Sequence, residues 1–155
     1  MPRITDFTII ETPAQDALIV EKETGVSDFI PFFVESIYKL GEYIREQGCI
    51  PSNAPYMRIK DNGTDIFNIT VGTTTPKPME GNGEIQKCII PAGKKLICYY
   101  QGNNEEMFPF YEELERYLSE NGYKKNGAFY EHFLNGSEFG IDKLLTKVIC
   151  EIESI

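Results

Sequence analysis

The feature of this sequence that most constrains its fold is an internal repeat, found by aligning residues 17–62 with residues 95–138. In each segment an apolar run is followed by a glycine, then by a proline beside aromatic residues, then by a second glycine. The matching runs are Leu18-Ile19-Val20 with Leu96-Ile97-Cys98, and Phe29-Ile30-Pro31-Phe32 with Met107-Phe108-Pro109-Phe110. Such a repeat predicts two copies of one supersecondary unit that bury a shared core.

Each copy is predicted to contain one amphipathic helix. Four apolar residues in each copy are separated by 4, 3 and 4 positions, which is the spacing of a single helix face. They are Phe33, Ile37, Leu40 and Ile44 in the first copy and Met107, Tyr111, Leu114 and Leu118 in the second. Gly48 and Gly122 follow where a helix can end. We therefore expect two main helices.

Around the helices the apolar period changes to two, which is typical of strands with one buried face. Phe67, Ile69 and Val71, for example, alternate with polar residues. Similar runs are found at 6–11, 17–23, 56–60, 85–90, 95–100, 128–134 and 145–152. Each copy is thus predicted as a ββαββ unit, about 4–73 and about 84–153, within one domain of 155 residues. The predicted fold class is α+β, with a curved antiparallel sheet, two main helices and a central cleft.

The charge and the cysteine content exclude several classes of function. A formal net charge of −9 repels a phosphate backbone, so we expect no direct binding of nucleic acid. The four cysteines lie far apart and the chain has one histidine, His132, so the sequence predicts no metal site and no cofactor. Reduced thiols are expected, although Cys88 and Cys98 flank a turn and could face each other.

No apolar stretch approaches the ~20 residues that span a bilayer, and the N-terminus has no apolar stretch of signal-peptide length. We therefore expect no membrane insertion and a cytoplasmic location.

Glu131 is the residue that most suggests a site. In a strand, alternation places it on one face with Phe129 and Phe133, and places His132 on the other face, where we expect it to be half-exposed. A carboxylate among aromatic residues must find a donor, take up a proton or meet a ligand. The alternative is that Glu131 points into water, as most glutamates do. No serine or cysteine stands in a nucleophile motif with His132.

Four short motifs, in order, resemble one known family over about residues 13–152. They are Ile89-Ile90-Pro91-Ala92-Gly93, Tyr100-Gln101-Gly102, Glu131-His132-Phe133-Leu134-Asn135 and Thr146-Lys147-Val148. The sequence is similar to the GyrI-like (gyrase-inhibitor-like) family, which includes the effector-binding domains of multidrug-responsive transcription activators. The resemblance implies two fused repeats with an apolar cleft, where a glutamate matching Glu131 meets lipophilic, often cationic compounds. Regulators of this family carry an N-terminal DNA-binding region, and the sequence has no room for one ahead of the first predicted strand, so we expect the stand-alone form.

Two positions differ from the family pattern. Phe133 stands where a tyrosine is frequent, and Gln101 stands where a histidine is frequent. The first difference keeps an aromatic wall and removes a hydroxyl. The predicted ligand-binding residues are Phe29, Phe33, Tyr56, Phe67, Met107, Tyr111, Glu131 and Phe133.

Three functions follow as hypotheses. The first is sequestration or sensing of a hydrophobic or cationic small molecule, with Glu131 at the base of the cleft. The second is a hydrolase that opens strained electrophilic rings, with Glu131 as general base and Tyr99 or Tyr111 as its catalytic partner. The third is interaction with a protein, such as gyrase inhibition, through the acidic surface. Monomer and homodimer are both compatible with the sequence, and a lone histidine gives a haem-carrying role little support.

Overall fold

A computed structural model describes residues 3–155 as an α+β fold, which confirms the predicted class. The helices are α1 (Phe29–Glu46) and α2 (Phe108–Glu120). The strands are β1 (Thr8–Thr12), β2 (Gln15–Thr24), β3 (Tyr56–Asp61), β4 (Phe67–Thr74), β5 (Gln86–Ile90), β6 (Gly93–Gln101), β7 (Tyr123–Lys125), β8 (Tyr130–Phe133) and β9 (Leu145–Ser154). The strand pairs described below are all antiparallel.

The chain forms two compact units. The α2 unit contains the described residues up to Thr12 together with Gly93–Ile155, and the α1 unit contains Pro13–Ala92. Strand β1 therefore groups with the second half of the chain, because all five of its residues pair with β6. Likewise β5 groups with the first half, because it pairs with β2. Alternation along a strand predicts its faces but not its neighbours.

In the α2 unit the pairing order is β1-β6-β9-β8, and β7 also pairs with β9. Helix α2 packs on one face of these strands, and the buried side chains between them form a single core cluster. From the strands come Leu96, Cys98, Tyr100, Val148, Cys150 and Ile152; from the α2 segment come Met107, Phe110, Leu114 and Leu118. Tyr111, which was predicted on the buried face, is half-buried at the edge of this cluster.

In the α1 unit the pairing order is β3-β4-β2-β5, with α1 against β2 and β4. The buried residues of α1 are Phe32, Ser36, Leu40 and Ile44, while the predicted Phe33 and Ile37 are half-buried. Tyr56 is buried beside Gly72, directly opposite it in the ladder. A Cβ added at Gly72 would lie 2.5 Å from the Tyr56 ring, so this site has room only for glycine.

All four cysteines are reduced thiols. Cys88 lies opposite Ala17 on β2, and Cys98 lies opposite Val148 on β9. Among residues 3–155, no group of histidine, cysteine, aspartate and glutamate side chains is arranged to hold a metal ion. Within the same residues, no helix has the length and apolar character needed to cross a membrane.

Candidate functional site

Glu131 lies on the face of the α2 unit that is covered by α2. Strand β8 pairs with β9 so that Glu131 is opposite Val148, and Val148 is in turn opposite Cys98 of β6. Residues directly opposite in an antiparallel pair share a face. Glu131 is thus in one row with two fully buried core residues. Its carboxylate extends from the sheet toward the helix.

The hydrogen-bond partner of this carboxylate is Tyr111 on α2. The Tyr111 hydroxyl donates a short hydrogen bond to Oε1 of Glu131. Tyr111 occupies the position next to Phe110, so the helix buries the phenylalanine and directs the tyrosine along the margin of the core. Among the described residues, no ion pair joins Glu131 to a lysine or an arginine. Within residues 3–155 the carboxylate therefore has one neutral donor, Tyr111, and no cationic partner.

The Tyr111 ring is held by two aromatic neighbours. The Phe129 ring lies with its centroid 4.4 Å from that of Tyr111 at an interplanar angle of 31°, and Phe110 lies edge-on at 5.3 Å. The Nζ atom of Lys125 lies 4.8 Å from the Phe129 centroid and 3.0 Å from a carboxylate oxygen of Glu115. Aromatic pairs and a cation over a ring each add to the stability gained by burial. These contacts fix the orientation of the hydroxyl that bonds Glu131.

The environment changes the ionisation of both groups in this pair. Burial raises the pKa of Glu131 above its usual value, and the hydrogen bond from Tyr111 opposes the shift. Burial, followed by the negative charge of Glu131, raises the pKa of Tyr111 far above its usual range. Tyr111 therefore remains a hydrogen-bond donor at any physiological pH. Among the described residues no cation compensates the charge of the ionised carboxylate, and a cationic ligand would provide that compensation.

Of the two tyrosines considered as catalytic partners, the fold brings Tyr111 to Glu131 and not Tyr99. Tyr99 is opposite Lys147, which is opposite His132, so Tyr99 lies on the other face of the strands. His132 on that face is 3% exposed, and the expectation that it is half-exposed is wrong. Alternation assigns a residue to a face but does not show whether that face is covered.

The other predicted site residues of the α2 unit differ in their surroundings. Phe133 is half-buried on the same face as Glu131, in the row of Thr146 and Tyr100. Met107 is buried in the core cluster just before α2. Its side chain therefore serves the packing of the helix against the strands.

The remaining predicted residues belong to the α1 unit. Phe29 begins α1 and meets Phe67 of β4 edge-to-face, with the ring centroids 5.4 Å apart. Phe33 is half-buried on α1, and the buried Tyr56 covers Gly72. Contact of these four residues with a ligand stays a prediction.

Sequence reasoning missed the contribution of Lys125. It is in the short strand β7, four residues before Phe129, and the residues between them have no regular period. A second tyrosine–carboxylate hydrogen bond, from Tyr130 to Glu151, was missed as well. The sequence signal for that bond was the period of two along β8 and β9, which does not specify which residues of the two strands are neighbours.

The family model of the GyrI-like small molecule binding domain matches residues 5–152. No curated protein matches the chain at a significant level. Among solved structures, EcmrR in complex with DNA has a TM-score of 0.76 at 14% identity, covering 97% of this chain and 58% of EcmrR. The C-terminal domain of EcmrR has a TM-score of 0.74 at 14% identity, with all of both chains covered.

Two further structures are similar over almost the whole chain. A hydrolase from Listeria innocua has a TM-score of 0.76 at 12% identity and covers 95% of this chain and 91% of its own. SAV2435 bound to tetraphenylphosphonium has a TM-score of 0.63 at 12% identity, with 96% and 94% covered. At these identities the similarity is one of fold.

Proposed function

Since this chain belongs to the family of GyrI-like small molecule binding domains, we propose that it binds lipophilic cations and that Glu131 recognises their positive charge. The observation that carries the proposal is a carboxylate with a raised pKa, one neutral hydrogen-bond donor and no ion pair among the described residues. Binding of this kind serves sequestration or sensing of the ligand.

The electrostatic argument concerns the cost of the ionised form of Glu131. Removing a carboxylate from water is unfavourable unless a donor or a cation compensates, and Tyr111 supplies only one hydrogen bond. A ligand with a positive charge would compensate the rest, whereas a neutral ligand of the same shape would not. Discrimination between the two is therefore expected to depend on Glu131.

Aromatic side chains beside the carboxylate support the lipophilic part of the ligand. Tyr111 and Phe129 form a tilted aromatic pair, and Phe133 is on the same strand face two residues beyond Glu131. Aromatic faces attract cations that carry little hydration, and such contacts strengthen when water is excluded. Phe133 offers this aromatic surface without the hydroxyl group through which a tyrosine would hydrogen-bond a polar ligand.

The ligand of one structural relative supports the same class of compound. SAV2435 was solved with tetraphenylphosphonium, a cation whose charge is enclosed by four phenyl groups. Such a ligand has no hydrogen-bond donor, so recognition depends on charge and apolar contact. Both are available around Glu131.

The test of this function is a calorimetric titration of the protein with tetraphenylphosphonium and with neutral triphenylphosphine oxide. We expect the cation to bind at least about tenfold more tightly, which corresponds to about 1.4 kcal/mol. Equal affinities, or no binding of either compound, would contradict the proposal.

A second candidate function is hydrolysis, which the hydrogen bond between Tyr111 and Glu131 favours. Glu131 would accept a proton from water while the water oxygen attacks a carbon of a strained ring. The ring bond breaks, the leaving atom takes up a proton, and one water molecule is added overall. Tyr111 would orient the carboxylate for this role.

Turnover of a lipophilic epoxide, styrene oxide, separates the two functions. If the chain is a hydrolase, the diol forms faster than in buffer, and Glu131→Gln and Tyr111→Phe both lose this rate. Tight cation binding with diol formation at the background rate would reject hydrolysis of this substrate and leave the binding function intact.

A further inference from the structure

Helix α1 carries more apolar surface than its packing uses. Its buried residues lie along one side, but Ile30, Val34 and Tyr38 are 66%, 43% and 73% exposed. These three residues are spaced by four positions, so they form a second apolar stripe along the helix. A surface helix of a globular protein normally needs one apolar stripe, which faces its core.

The same side of α1 contains a glycine that the chain itself does not need. Gly41 lies inside the helix, where glycine is the poorest helix former after proline. Its φ is not positive, and no atom lies within 4 Å of a Cβ added there. Neither the backbone conformation nor internal packing therefore requires glycine. A bare helix surface does allow the close approach of another helix.

Gly41 lines a groove of about 430 Å³ at the C-terminal end of α1. The groove is also lined by Ile37 and Tyr38 of the helix and by Cys49, Ile50 and Pro51 after it, with Ile50 77% exposed. Glu42 and Arg45 complete the lining. Both are exposed, and among the described residues neither has an ion-pair partner.

We propose that this groove is the contact surface for a second copy of the chain, with the two α1 helices antiparallel about a two-fold axis between Glu42 and Arg45. In that arrangement each Glu42 lies beside Arg45 of the second copy. Tyr38 lies about 10 Å along its helix from Arg45. The two-fold axis therefore places Tyr38 level with residue 49 of the second copy, next to Ile50.

The charges identify the partner. A two-fold contact places the same patch on both subunits, so the patch must be complementary to itself. The groove meets this condition, because it carries one acidic and one basic side chain on adjacent turns and an exposed tyrosine beside an apolar wall. In this arrangement Gly41 is level with the last residue of the partner's α1, and its lack of a side chain lets that helix end approach closely.

Sedimentation of the full chain between 1 and 200 µM tests the contact; these concentrations bracket the affinities of small interfaces, about micromolar. We expect the dimer fraction of the wild type to rise with concentration. Gly41→Leu should weaken dimerisation at least tenfold. The thermal stability of the variant monomer should rise, since leucine is a better helix former than glycine. A wild type that stays monomeric throughout, or a dimer unaffected by Gly41→Leu, would overturn the proposal.

A charge exchange tests the antiparallel pairing itself. Glu42→Arg and Arg45→Glu should each weaken the dimer, and the double variant should restore it. Glu35→Arg, which reverses an exposed charge outside the groove, is the matched control and should have little effect. Additive losses in the double variant would reject this geometry.

Discussion

Glu131→Gln is expected to lower the affinity for tetraphenylphosphonium by about 30- to 100-fold, which is about 2 to 3 kcal/mol. Glutamine has nearly the shape of glutamate and keeps an oxygen that accepts the hydrogen bond from Tyr111. The substitution therefore removes the charge and leaves the aromatic surroundings in place. Affinity for neutral triphenylphosphine oxide should change by less than about threefold, because that ligand forms no charge pair.

The control for this substitution is Glu112→Gln. Glu112 follows Tyr111 on α2 but is exposed. The substitution therefore changes the net charge by the same amount as Glu131→Gln, but at a solvent-exposed position. Screened surface charges contribute little, and we expect less than about a twofold effect on either ligand. Equal losses for the cation in Glu131→Gln and Glu112→Gln would show that long-range attraction, and not Glu131, provides the preference.

Leu114→Ala is expected to lower the free energy of unfolding by about 3 kcal/mol. Leu114 is 0% exposed in the core cluster of the α2 unit, one turn of helix from Tyr111. Truncating a buried leucine removes apolar contacts and leaves a cavity, at a cost of about 2 to 5 kcal/mol. Urea denaturation followed by circular dichroism measures the loss.

The matched variant for this prediction is Glu112→Ala, which truncates an exposed side chain of the same helix. It should change the free energy of unfolding by less than about 0.5 kcal/mol. A loss below 1 kcal/mol for Leu114→Ala, on the order of an exposed site, would mean that α2 is not packed on the strands as described.

Both helices could be predicted from apolar spacing, and Leu40, Ile44, Leu114 and Leu118 are buried as expected. Toward the start of each helix, however, the buried face is displaced by one residue. The predicted faces included Phe33 and Tyr111, and the structure buries Phe32 and Phe110 instead. In both helices the two neighbouring positions are aromatic, so the period alone cannot choose between them. The displacement matters for the site, since it leaves Tyr111 at the margin of the core where it reaches Glu131.

The strands were predicted more completely than their pairing. Strand β7 was missed because its three residues, Tyr123–Lys125, have no alternating pattern and are ordered by pairing with the end of β9. The partners of β1 and β5 also could not be predicted. Pairing between strands distant in the chain depends on tertiary packing, which a local pattern does not contain.

For the site, the sequence likewise identified Glu131 but left its hydrogen-bond partner open. Alternation placed Glu131 on a face with Phe129 and Phe133, because a strand has a strict period of two. The choice between Tyr99 and Tyr111 required the position of α2 over the strands, which the sequence does not supply. The charge of Lys125 over Phe129 was beyond prediction for the same reason.

The most direct test of the central claim is the affinity for tetraphenylphosphonium measured by calorimetry from pH 4.5 to pH 8. Burial raises the pKa of Glu131 above its usual value, so the free carboxyl group takes up its proton, and becomes neutral, at a higher pH than an exposed glutamate does. Because the cation favours the ionised form, Kd should fall by up to about tenfold per pH unit until the carboxyl group is ionised, and then level off. The same titration of Glu131→Gln should be flat. A pH-independent Kd in the wild type, or the same slope in Glu131→Gln, would contradict recognition of the cation by this carboxylate.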